Sequence, residues 1–215
     1  MKFDAFDSLC RDNSLRILGG FAVTPEDHDI ADAQTLVMLG PDEPVFWDVF
    51  RVSPEFSAPE NPMDLWSKRV LGSVATATGG RAIFPSDGPP YAPFFTWALR
   101  TGRCHQSPIN LLVHDHAGLM VSFRGALALP FALELPAPPQ SPCLTCQAKP
   151  CLSACPVEAL TPDGYDVPTC KTHIRTQGQD CMQGCLARRA CPVSQQFGRQ
   201  PAQSEFHMRA FVGPN

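Results

Sequence analysis

Eight cysteines crowd into 49 of the chain's 215 residues, and their spacing is the strongest chemical signal in the sequence. The first group reads Cys143-x2-Cys146-x4-Cys151-x3-Cys155-Pro156. The second reads Cys170-x10-Cys181-x3-Cys185-x5-Cys191-Pro192. In a reducing compartment such density indicates metal ligands before disulfides. Soft thiolate cages suit zinc or iron–sulfur. Zinc modules usually present two separate Cys-x2-Cys knuckles, and only one such spacing occurs here. Both groups end in Cys-Pro, as bacterial iron–sulfur runs do, and in those runs the fourth cysteine crosses over to ligate the other cluster. The expectation is therefore two [4Fe-4S] clusters on eight thiolates. Cys143, Cys146, Cys151 and Cys191 would hold one, and Cys155, Cys170, Cys181 and Cys185 the other. Ligation of a single cluster, and a structural zinc module serving partner binding, are the alternatives.

A cluster needs apolar cover, because burial and hydrogen bonds to sulfur set its potential. Pro156-Val157-Glu158-Ala159-Leu160 offers that cover. Lys149, Lys171, Arg175, Arg188 and Arg189 surround the cysteines. They fit two roles equally: offsetting the negative charge of thiolates, or docking an acidic redox partner. Cys10, on the apolar face of a helix, reads as a small buried hydrophobe.

The elements that must position these residues are short. Residues 4–12 have Phe6, Leu9 and Cys10 at helical spacing. Leu15 to Val23 reads as a strand interrupted by Gly19-Gly20, and 35–39 as a buried strand before a Gly-Pro-Asp turn. Residues 41–60 show no clear period. Asn61-Pro62 reads as the capped start of a helix that Gly79-Gly80 ends. Leu65, the stem of Arg69, Val70 and Val74 would mark its face. Residues 82–84 read as a strand and 92–101 as a helix. Phe94, Phe95 and Trp97 on it read as core, with a cofactor pocket as the other possibility. Residues 109–129 read as one hairpin, Ile109–His114 against Leu119–Leu129, with His114 and His116 exposed at its tip. His105 reads as a helix-end residue. Five prolines between 130 and 142 make an extended linker. They divide the chain into domains 1–136 and 137–215.

Composition limits the function classes. Hydrophobic residues make up 44% and charged residues 18%, enough for a buried core. The net charge is −4, with −6 up to residue 142 and +2 beyond it. That argues against a nucleic-acid binder working by phosphate neutralisation. No apolar run reaches the roughly 20 residues of a membrane helix. The acidic N-terminus lacks the apolar region of a signal peptide, so a cytoplasmic location is expected.

From Asp87 onward the sequence resembles the core of epoxyqueuosine reductases, cobalamin-dependent enzymes with two [4Fe-4S] clusters. The similarity rests on Asp87-Gly88-Pro89, Ala98-Leu99-Arg100-Thr101-Gly102, Asn110-Leu111-Leu112-Val113, Gly118 to Gly125, and Cys143 to Cys191. Gly118-Leu119-Met120-Val121-Ser122-Phe123-Arg124-Gly125 is also similar to a stretch of cobalamin-processing reductases of nitroreductase-like fold. The resemblance implies an α+β chain: a nitroreductase-like N-terminal domain followed by a small ferredoxin-like dicluster domain. It implies an iron–sulfur electron-transfer protein, fed by a redox partner protein or a small-molecule donor. The alternative it implies is a corrinoid-dependent or corrinoid-reducing oxidoreductase, with cobalamin on the N-terminal domain and Asp87 as catalytic proton donor. Ser86-Asp87-Gly88-Pro89 is equally a strong turn sequence, which is the plainer reading of Asp87. Two departures from the family stand out. Lys149-Pro150 lengthens the first cysteine run, and the last run is Cys-x3-Cys-x5-Cys-Pro. The family's helical-repeat region for tRNA is expected to be missing, so tRNA is not the expected substrate.

Overall fold

The computed structural model describes residues 1–213 and is of mixed α+β character. In chain order the elements are α1 (Phe3–Asp12), β1 (Leu15–Ala22), β2 (Thr35–Pro41), α2 (Phe46–Arg51), α3 (Pro62–Thr78), β3 (Arg81–Ile83) and α4 (Phe94–Arg100). Then come β4 (Cys104–Gln106), β5 (Leu112–His114), β6 (Gly125–Leu129), β7 (Leu160–Thr161) and β8 (Gly164–Tyr165). Five helices close the chain: α5 (Val167–Thr176), α6 (Gln179–Met182), α7 (Leu186–Ala190), α8 (Pro192–Gln196) and α9 (Pro201–Val212). Among the described residues no helix is long and apolar enough to cross a membrane.

Two compact units emerge. The first contains residues 1–103 and 122–139, the second residues 104–121 and 140–215. The sequence reading gave residues 104–121 to the first domain, but they pack with the cysteine segment.

The first unit is built on an antiparallel sheet of order β1-β2-β6-β3. All seven residues of β2 and all five of β6 are buried, as expected for central strands covered on both faces. The register of β1 on β2 slips between Ile17 and Gly20. Gly19 there has φ +130, and a Cβ on it would lie 2.7 Å from the Thr101 side chain, so the interruption in the strand pattern is a bulge. The helix α3 packs on β3 and β6. It buries Met63, Trp66, Val70, Leu71 and Val74, whereas Leu65 is largely exposed and Arg69 turns out to pair with Glu55. Its apolar face is thus rotated one position from the expected one. Asn61 is left-handed and makes no side-chain cap, so the helix starts on Pro62 alone. Gly79 ends it in the left-handed conformation, as the sequence indicates.

Residues 41–60, read as patternless, contain α2 and carry the densest aromatic packing of the unit. Phe46 and Phe50 stack at 5.9 Å, and Trp66 meets Phe46 edge-on at 5.0 Å. Phe56 meets Phe50 edge-on at 5.4 Å. On α4, Trp97 is buried, whereas Phe95 is half exposed. Cys10 is fully buried, and its thiol is pushed up to about 12 by burial and by the nearby Asp7 charge, which makes it an inert core residue.

In the second unit, β4 pairs with β5, Cys104 opposite His114. The expected 109–129 hairpin is therefore not formed, because its second arm, β6, belongs to the sheet of the first unit. Its place is taken by a tight loop closed by a bridge between His114 and Gly118. His114 is fully buried and not at an exposed tip. Its Nδ1 accepts the backbone N–H groups of His116 (3.0 Å) and Ala117 (3.2 Å), so the ring holds the loop's shape. His116 is exposed, edge-on to Phe197. Gly118 sits at φ +56 against Ser194, where a Cβ would come within 2.5 Å of the Ser194 backbone nitrogen. Leu119 N–H donates to Ser194 Oγ at 2.9 Å, so this contact ties the loop to α8. Gly118→Ala is expected to lower the melting free energy by about 1–3 kcal/mol through overpacking. An unchanged thermal or urea midpoint would contradict it.

Candidate metal centre

All ten cysteines are free thiols, with Cys151, Cys181 and Cys191 buried and the other five of the late segment half-buried. Short elements bring them together. Ser141 accepts the Cys143 N–H through its hydroxyl and starts the one-turn helix 142–144, and Pro150 starts a second turn at 150–152. Lys149 between them is left-handed at φ 42. The helix α7 packs on the second of these turns and on α8. This brings Cys191, 40 positions later, to the first cysteine run.

The thiols form two sets. Burial pushes the Cys143 thiol up, and the charges of Cys191 and Cys146 add to it. Burial likewise raises Cys151, helped by Cys143, Cys191 and Cys146. These four side chains line one cavity of about 340 Å³, with Ser107, Val113, Leu119 and Val193 among its other walls. In the second set burial raises Cys170, with Cys185 and Cys155 adding to it and the Tyr165 hydroxyl opposing. Burial raises Cys181, with Cys185 and Cys170 adding to it. The grouping matches the crossover implied by the two Cys-Pro endings: Cys155 leaves its own run and Cys191 joins it. Cys185 also packs against the apolar group containing Cys151 and Cys191, so the two sets adjoin.

Hydrogen bonds reach several sulfurs. Ala159 N–H donates to Cys155 Sγ at 3.3 Å, and Tyr165 Oη donates to Cys170 Sγ at 3.2 Å. Tyr165 lies on β8, is stacked at 6.2 Å on Phe211 of α9, and its phenol is held well above its ordinary pKa by burial and by Cys170. Sequence reasoning missed Tyr165. Its place five residues before Cys170, beyond a β-hairpin, is a relation that only the fold supplies.

The basic side chains divide. Arg188 donates to the Leu119 carbonyl at 3.1 Å and Arg175 to the Val212 carbonyl at 2.7 Å, so both brace the unit. Arg189 reaches the Asp180 carbonyl, and Lys171 lies 5.0 Å from the Phe211 ring. Lys149 is exposed and favours the ionised form of Cys143.

Asp87 belongs to the first unit. It is half exposed on a turn, its N–H bonded to the Phe84 carbonyl and its carboxylate 2.7 Å from Lys68 Nζ. His105 lies on β4 and is half-buried.

Each thiol set is a group of half-buried acids whose ionisation is opposed by burial and by one another. Ionising them together requires cations between them, since metal binding deprotonates a thiol outright. Among the described residues no three His, Cys, Asp or Glu side chains gather closely enough to hold one metal ion, so each set is looser than a single-ion cage. The donor set, the cavity and the N–H and O–H groups aimed at sulfur fit a sulfur-rich cluster. No family model, curated protein or solved structure matches the chain.

Proposed function

We propose that the chain is an iron–sulfur electron-transfer protein holding two [4Fe-4S] clusters in its second unit. The reading is carried by one observation: eight thiols sort into two sets of four, one of them around a cavity. Cys143, Cys146, Cys151 and Cys191 would hold one cluster. Cys155, Cys170, Cys181 and Cys185 would hold the other. When bound, such a cluster takes up and releases one electron at a time. The chain's own residues then do three things. The apolar side chains of Ile109, Val113, Leu119 and Leu160 keep water from the first set. Ile174 and Val212 do the same beside Cys181, with Met208 and Phe211 packed against them. Ala159 N–H and Tyr165 Oη offset negative charge on sulfur in the second set. The adjoining sets would let an electron pass between clusters.

In this reading the second unit is a small ferredoxin-like dicluster domain and the first a nitroreductase-like domain. The electron source is a redox partner protein or a small-molecule donor. The corrinoid-linked enzyme ranks behind it, because Asp87, the acid it requires, is engaged by Lys68 on an exposed turn. The test is reduction of anaerobically purified protein. A brown chain that bleaches with dithionite and then shows paramagnetic resonance from reduced clusters supports the reading. A colourless chain with no such signal sinks it.

A further inference from the structure

Ser107 follows β4 and is held by its backbone: its N–H donates to the Leu111 carbonyl at 2.9 Å, and its own carbonyl accepts Asn110 N–H at 3.0 Å. The residue is 5% exposed. Its Oγ is completely buried and has no hydrogen-bond partner. Leaving a buried hydroxyl unpaired is costly, and folded proteins seldom do so without a reason. The reason lies in what Ser107 lines, the cavity bounded by Cys143, Cys146, Cys151 and Cys191. Thr145, the other hydroxyl on that wall, donates to the Pro142 carbonyl at 3.3 Å and is already satisfied. Ser107 alone brings a free O–H donor to a space walled by four sulfurs.

We propose that the Ser107 hydroxyl is a positioning residue that hydrogen-bonds to a sulfur of the cluster held by these four cysteines and raises its reduction potential. The inference rests on the iron–sulfur reading of that set. The sign follows from charge. Reduction adds an electron to an already anionic thiolate cage, and a fixed donor dipole favours the more negative state. The second set has its own hydroxyl donor in Tyr165, so each set carries one. The two hydroxyls come from different elements, a β4 loop and β8, and can be varied independently.

The test is a mediator-controlled redox titration of the full chain, read by paramagnetic resonance, with iron and sulfide counted on the same samples. Ser107→Ala removes the donor. Since Oγ has no protein partner, no hydrogen bond within the chain is lost and the fold is retained. The expected result is a downward shift in one cluster by about tenfold in its reduction equilibrium, about 59 mV for one electron. The shifted cluster is the one that disappears in Cys151→Ala. Ser107→Thr keeps the hydroxyl and is expected to titrate like the parent. Ser107→Gly, lacking it, repeats the alanine shift if the alanine variant loads poorly. Full iron and sulfide with an unshifted potential overturns the role of Ser107 and leaves the cluster reading standing. A shift of the cluster that Cys155→Ala removes also overturns it. Absence of iron and sulfide from the parent chain overturns both.

Discussion

Cys151→Ala purified without oxygen is expected to carry about four iron and four sulfide per chain, half of the about eight expected for the unaltered chain. Cys155→Ala is expected to lose the same amount, but from the other cluster. The two residues are four apart and their thiols belong to different sets. Each single variant should therefore leave a distinct resonance spectrum, and the two spectra should together make up that of the parent. The double variant Cys151→Ala/Cys155→Ala is expected to lose nearly all iron. Pairing by order along the chain predicts otherwise: both single variants would damage one cluster, and the double variant would keep about four iron. Identical residual spectra from the two single variants would contradict the crossed arrangement.

The second large effect concerns the first unit. Phe50→Ala is expected to destabilise it by about 3–5 kcal/mol, the usual cost of deleting a buried aromatic ring. Phe50 is fully buried between Phe46, Trp47, Phe56 and Trp66, with ring centroids 5.4 to 6.3 Å away. Against the roughly 5–15 kcal/mol that holds a domain folded, that is a large fraction. All three tryptophans, Trp47, Trp66 and Trp97, lie in this unit, so urea unfolding followed by tryptophan fluorescence reports on it directly. Val52→Ala, at a site 78% exposed, is the control and should stay within about 0.5 kcal/mol of the parent. A Phe50→Ala midpoint indistinguishable from that control would remove the aromatic group from the core.

How much of this the sequence disclosed depended on how local the signal was. The helix at 3–12, the strand at 35–41 and the end of α3 at Gly79 follow from spacing and backbone preference within a few residues. The grouping of thiols was legible for another reason: Cys-Pro endings carry a rule about non-local partners. The partner of β5 was not legible. Cys104-His105-Gln106 has one buried position, and a strand that weak gives no two-residue alternation to read. The apolar run 125–129 looked like the natural partner, but it serves as a central strand of another sheet. In α2, Phe46 and Phe50 are spaced one helical turn apart, but the acids and prolines on either side masked them. His114 illustrates a different limit. Its type suggested an exposed or ligating side chain, and only the fold shows a buried ring organising backbone N–H groups.

Near the metal centre the ligand types were visible, and the donors that surround them were not. Tyr165 and Ser107 reach the thiol sets through a short hairpin and a five-residue loop, and neither position has a pattern of its own. Hydrogen bonds to sulfur depend on where an O–H points, which composition and spacing do not encode.

The most direct measurement is elemental. Iron, acid-labile sulfide and zinc should be quantified together on the full chain, purified without oxygen and without added metal. The account predicts about eight iron and eight sulfide per chain with little zinc. Stoichiometric zinc with no sulfide would contradict it and leave the eight thiols as a structural zinc site.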